Sequence, residues 1–222
     1  MHMARKRSLN RKKGEMMTIL DQAIATAMLA HQGQYRKGDG HPFIVHPVDV
    51  LNRVRGYGVE DIHILCAAVL HDTIEDSWMT TGYLRPIFGD RITELVWNLT
   101  DVEDKPKDSW EKYEYLLTFL KKDPAAQVIK LADRSCNVKD WIMTKRSHYA
   151  GKYALMAAPI IQGFLTNVGK LPDHVVALAQ KDITYLHDIA RKRFPDIDIT
   201  NADCLEEVKK VVLKTRTEVI HG

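Results

Sequence analysis

Ala67-Ala68-Val69-Leu70-His71-Asp72-Thr73-Ile74-Glu75-Asp76 decides how the chain is read. An apolar run that begins at Ile62 ends here in an imidazole and three carboxylates. The spacing predicts a helix over Ile62 to Asp72. Continued as a helix, His71 and Glu75 are four apart, Asp72 and Glu75 three apart, and Asp72 and Asp76 four apart, so all share a face. Carboxylates at a helix C-terminal end oppose the helix dipole. A bound cation would offset them; the alternative is a solvated helix end.

Outward from that stretch the pattern is helical almost everywhere. Helices are expected over Ile19 to His31, from Pro47 to about Arg55, over Ile92 to Leu99, Trp110 to Leu120, Ala125 to Val138, Lys152 to Val168 and Asp173 to Arg193, with a short terminal one over Leu205 to Leu213. Gly33 to Pro42 reads as a loop, Pro86 to Gly89 as a turn, and Asp101 to Asp108 as an exposed charged loop. No alternating run is long enough for a strand. The expected class is therefore all-α, a single-domain helical bundle.

A chain of 222 residues, 45% of them hydrophobic, supports one core of ordinary size. We expect residues 17–200 to form the domain and 201–222 a C-terminal helical extension. Residues 1–16 should be a basic tail: Arg5, Lys6, Arg7, Arg11, Lys12 and Lys13 fall in the first fourteen residues, which hold no acid. The formal net charge of +3 comes from that tail, and the remainder is slightly acidic. A solvated extension is the plainer expectation for it, and contact with nucleic acid the lesser one. Cys66, Cys136 and Cys204 are widely spaced and odd in number, which argues against a disulfide framework or a CxxC zinc site and suits a reducing cytoplasm. No apolar stretch approaches the roughly 20 residues that span a bilayer.

Two further segments carry chemistry. His46 stands in Pro42-Phe43-Ile44-Val45-His46-Pro47, just before an expected helix, where an imidazole is well placed as a metal ligand. Asp133 stands in the apolar run Val128-Ile129-Lys130-Leu131-Ala132-Asp133-Arg134, where a carboxylate needs a partner. That partner is either a metal or a neighbouring Lys130 or Arg134. Taken together, His46, His71, Asp72 and Asp133 make a mixed ligand set. It suits Mn²⁺, Fe²⁺ or Zn²⁺ better than an all-oxygen Mg²⁺ site. Glu75 and Asp76, not needed as ligands, are placed to orient or deprotonate a water.

In this order the motifs resemble the hydrolase domain of the RelA/SpoT family, nearest in kind to its single-domain members, the small alarmone hydrolases. The matching segments are Ala30 to Lys37, Pro42 to Pro47, Ala68 to Asp76, Phe88-Gly89, and Lys130 to Arg134 with Asn137. The resemblance covers about Leu20 to Lys139. It implies an HD-domain bundle that removes the 3′-pyrophosphate from guanosine tetra- and pentaphosphate (ppGpp and pppGpp) with Mn²⁺. It implies His46, His71, Asp72 and Asp133 as ligands, Glu75 and Asp76 as catalytic acids, and Arg36, Lys37 and Asn137 as substrate contacts. Tyr35 stands where the family usually carries Arg, and Ser135-Cys136 also departs from its pattern; these departures touch the substrate side. Two other readings stand beside this one. One is an HD phosphohydrolase for another nucleotide, such as a deoxynucleotide or a dinucleotide phosphate. The other is an HD domain that binds nucleotide without turnover, which the Glu75-Asp76 pair disfavours.

Overall fold

A computed structural model describes residues 16–37, 40–100, 123–144 and 147–211. The described residues contain eight α-helices: α1 Ile19–Ala30, α2 Val45–Gly56, α3 Ile62–Leu70, α4 Thr81–Leu99, α5 Pro124–Met143, α6 Ser147–Leu155, α7 Ala158–Thr166 and α8 Asp173–Arg193. Residues 205–211 are also helical. The one β-type pairing among them is an isolated bridge between Tyr35 and Pro42, which closes the loop after α1. The all-helical expectation holds. The expected helix over Trp110 to Leu120 and nearly all of the basic tail lie outside the described residues.

Local chemistry sets the helix starts. Thr18 and Asp21 form a reciprocal capping box on α1, with both bonds 3.1 Å. Asp61 caps α3 by accepting from His63 N at 2.8 Å, and Asp123 caps α5 ahead of Pro124. α3 is the hub, packed against α1, α2, α4 and α5. Its residues Leu65 to Leu70 are all buried. α5 packs in turn on α2, α6, α7 and α8. Leu51, Leu70, Leu95, Ile129, Leu131 and Phe164 are among the largest fully buried side chains. Each contributes about 1.5–3 kcal/mol of apolar burial. Away from the hub, α2 is tied to α8 by a polar cluster. Arg53 Nη1 donates to Asp182 Oδ1 at 2.5 Å, and the Tyr57 hydroxyl donates to Asp182 Oδ2.

Three of the expected boundaries that change bear on the packing or the site. The turn expected at Pro86 to Gly89 is a kink inside α4: the helix runs through Pro86 and bends at Gly89, whose φ of 75° a residue without Cβ adopts freely. The helix expected over Lys152 to Val168 is two, α6 and α7, because Pro159 has no N–H to carry the ladder across the junction. The third concerns the site: α3 stops at Leu70, so His71, Asp72, Glu75 and Asp76 do not lie on a continuous helix.

Candidate metal centre

Residues 71–75 form consecutive turns and 76–78 a bend. The ladder fails where side chains take over its acceptors. Thr73 Oγ1 and Thr73 N both donate to Leu70 O, at 2.6 and 2.9 Å, and Ser77 Oγ donates to Thr73 O at 2.5 Å. One helix-like bond survives, from Asp76 N to Asp72 O at 2.8 Å. The helical spacing that grouped these residues is therefore corrected to a tight turn.

Three elements bring four side chains to one point. His71 caps the end of α3 and is 1% exposed. His46, 2% exposed, sits in the first turn of α2, and its ring meets that of His71 edge-on at 5.3 Å. Asp133, 5% exposed, projects from the middle of α5. One ligand atom each from His46, His71 and Asp133 lie within 4.8 Å of one another. Asp72 joins them: its Oδ2 is 3.0 Å from His71 Nε2 and 3.6 Å from His46 Nε2. His46 Nε2 is 3.2 Å and His71 Nε2 3.8 Å from Asp133 Oδ1.

The tautomer of His71 shows what the cluster fits. Its Nδ1 lies 2.9 Å from the Ala68 carbonyl, which can only accept, so Nδ1 carries the hydrogen. Nε2 is buried, satisfies no hydrogen bond, and lies 3.0 Å from Asp72 Oδ2. An imidazole fixed by a backbone carbonyl, with its other nitrogen aimed at carboxylates, has the geometry of a metal ligand. The donor set fits a divalent cation.

Charge follows from the same contacts. Burial opposes protonation of His71, yet the Asp72 carboxylate overrides it and raises its pKa to about 9. Burial would raise the pKa of the Asp72 carboxyl, but His71 beside it brings it down. Burial acts likewise on Asp133, and Lys130 with His46 holds that carboxyl well below the usual range. Lys130 Nζ is 3.0 Å from Asp133 Oδ2. Lysine pairing and membership of the cluster, opposed readings of Asp133 in the sequence, thus coexist on its two oxygens. Lys130 also feels Glu75, which puts that carboxylate on the cluster's side.

The expected substrate contacts divide. Arg36 reaches Asn137 Oδ1 at 3.4 Å and forms an ion pair with Asp140. Asn137 Nδ2 donates to Asp133 Oδ1 at 2.5 Å. Lys37 is exposed in the same loop and has no hydrogen bond or ion pair among the described residues. Farther along α5 the Arg134 guanidinium lies 4.1 Å over the Tyr153 ring, which stacks on Trp141 at 4.7 Å. The sequence reading missed His31, Gln34 and Asp140. His31 and Gln34 were legible in principle, as polar residues three apart at the end of a helix whose Ala23, Ala27 and Ala30 are buried.

An all-helical domain with a buried His/Asp cluster at the junction of α2, α3 and α5 defines a class, and the HD domain family model matches residues 23–155. The chain belongs to the HD domain family and, within it, to the group that includes the guanosine-3′,5′-bis(diphosphate) 3′-pyrophosphohydrolase MESH1. Mouse MESH1 is 32% identical over 156 residues, covering 68% of this chain and 87% of that protein. A probable GTP pyrophosphokinase of Mycobacterium leprae is 36% identical over 126 residues, 55% of this chain but 16% of its own length. The chain spans only 16 to 19% of such long curated relatives. In fold it is similar to a solved metazoan ortholog of SpoT, with TM-score 0.64 and 22% identity over 81% of this chain and 98% of that one.

Proposed function

We propose that the chain hydrolyses the 3′-pyrophosphate of guanosine tetra- and pentaphosphate to GDP or GTP and pyrophosphate, with Mn²⁺ held by His46, His71, Asp72 and Asp133. The carrying observation is the buried ligand cluster with Glu75 and Asp76 in the turn beside it. The substrate is supported by the likeness to MESH1, whose name states that reaction. Mn²⁺ is supported by the mixed imidazole and carboxylate donors.

A divalent cation held by His46, His71, Asp72 and Asp133 would lower the pKa of a water and polarise a phosphate. The protein's own groups do the rest. Glu75 takes the proton of the attacking water, with Asp76 as its partner. Water oxygen bonds to the phosphorus attached to the ribose 3′-oxygen, that P–O bond breaks, and the 3′-oxygen leaves to gain a proton. Arg36 and Lys37 supply positive charge for phosphate, and Asn137 holds Arg36 beside the cluster.

In this reading residues 17–200 are the catalytic domain, 1–16 a solvated basic tail and 201–222 an extension. A cytoplasmic setting is supported by three buried free cysteines. No helix among the described residues is long and apolar enough to cross a membrane. The test is to incubate the Mn²⁺-loaded protein with guanosine tetraphosphate, deoxynucleotides and dinucleotide phosphates and to identify products by mass. GDP with pyrophosphate from the tetraphosphate is expected. Consumption of another nucleotide with the tetraphosphate untouched would replace this substrate.

A further inference from the structure

Gln34 links two segments far apart in sequence. Its Nε2 donates to the main-chain carbonyl of Asp76 at 2.6 Å, 42 residues away. Its Oε1 lies 2.9 Å from His31 Nδ1. The orientation is determined. A carbonyl can only accept, so the amide end of Gln34 faces Asp76, its oxygen faces His31, and His31 Nδ1 carries the hydrogen. Burial holds His31 below its ordinary pKa, which keeps the ring neutral and its one hydrogen on that nitrogen.

Both ends are anchored. Phe43 N donates to Gln34 O at 2.9 Å and Arg36 N to His41 O at 2.8 Å, which fixes the loop that carries Arg36. On the other side the Asp76 peptide lies past the end of α3, where its N–H makes the one surviving helix-like bond, to Asp72 O. Gln34 supplies the hold on its carbonyl. A neutral amide suits this place. A lysine or arginine there would also draw on the Glu75 and Asp76 carboxylates and change their basicity, whereas an amide fixes the peptide and leaves their charge alone.

We propose that Gln34, oriented by His31, is a positioning residue that locks the Asp76 turn to the Arg36 loop and so sets the acids against the bound phosphate. This rests on the reading of Glu75 and Asp76 as the catalytic acids. Gln34 acts through the Asp76 peptide and touches no reacting atom.

The test compares Gln34→Ala, His31→Asn and His31→Leu with the wild type. Asparagine can keep a donor near the place of Nδ1, and leucine cannot. Bound Mn²⁺, melting temperature, kcat and KM for guanosine tetraphosphate, and hydrogen exchange of residues 71–79 are measured on the same samples. Gln34→Ala should keep its metal and lose about 10- to 100-fold in kcat with KM within about twofold, the scale expected when a reacting group is misplaced. Exchange should quicken in residues 71–79 and not elsewhere. His31→Leu should follow Gln34→Ala, and His31→Asn should recover most of the rate. Unchanged kcat and unchanged exchange in Gln34→Ala would overturn the proposal, as would a loss explained by metal content alone. A wild-type protein inert toward the tetraphosphate would sink the substrate reading instead, and the exchange comparison would still decide whether Gln34 holds the turn.

Discussion

Asn137 donates to Asp133 Oδ1 at 2.5 Å while its own Oδ1 faces Arg36 Nη2 at 3.4 Å, so one amide joins the buried His/Asp cluster to Arg36. Partners of this kind orient a ligand and tune its basicity. Asn137→Ala should therefore weaken metal affinity by about 10- to 100-fold and raise KM by releasing Arg36. Calorimetric metal titration reads the first effect and steady-state kinetics the second. Wild-type metal affinity in the variant would show that Asn137 serves the substrate alone.

Ligands and acids should separate under mutation. Asp72→Ala or Asp133→Ala removes a carboxylate from the cluster, so metal content and activity should fall together. Glu75→Gln should keep the metal and bind nucleotide, yet turn over about 10²-fold more slowly for lack of a base. If Asp76 works with Glu75 as a unit, the double variant should be no slower than the poorer single one. Loss of metal in Glu75→Gln would make Glu75 a ligand and redraw the set.

The pH dependence follows from the direction of each shift. In the metal-free protein the pKa of His71 is raised to about 9, against about 6.5 for an unperturbed histidine. Its stabilising contribution is complete below about 6.5 and is lost as pH rises through about 9. Asp72 and Asp133 are depressed, so theirs is present above the ordinary carboxylate pKa of about 4 and is lost as pH falls below it. If the cation binds His71 Nε2 it has to displace the proton there, so metal affinity should rise between about pH 6.5 and 9. Melting curves with and without Mn²⁺ across that range check both. A metal affinity flat with pH would contradict the protonated His71.

Most of the fold and the ligand cluster were legible in the sequence, for physical reasons. The buried run before His71 and the proline after His46 are local signals, and helix α8 appears with the bounds its periodicity implies, Asp173 to Arg193. What was not legible depends on contacts between distant segments or on hydroxyls competing for the backbone. Thr73 and Ser77 end α3 early, which spacing alone does not reveal. Gln34 acquires its role only when Asp76 arrives from 42 residues away. Asp140 becomes relevant only because Arg36 folds onto α5.

The α2–α8 tie should matter for stability and not for the site. Asp182 accepts from both Arg53 and Tyr57 and is 8% exposed. Asp182→Ala leaves a guanidinium and a buried hydroxyl without their acceptor, at a cost of about 3 kcal/mol. In a domain of this size that lowers the melting temperature by about 10 °C, with metal content per folded protein unchanged. A loss of metal without a loss of stability would place Asp182 in the site.

Metal-dependent hydrolysis of the alarmone at this cluster is the reaction these predictions share. The most direct measurement is pyrophosphate release from guanosine tetraphosphate by protein stripped with chelator and titrated with Mn²⁺, with bound metal counted on the same samples. Release should be absent in the stripped protein, rise in proportion to bound Mn²⁺, and yield GDP and pyrophosphate in equal amounts. Full release in the stripped protein, or none at saturating Mn²⁺, would contradict the account.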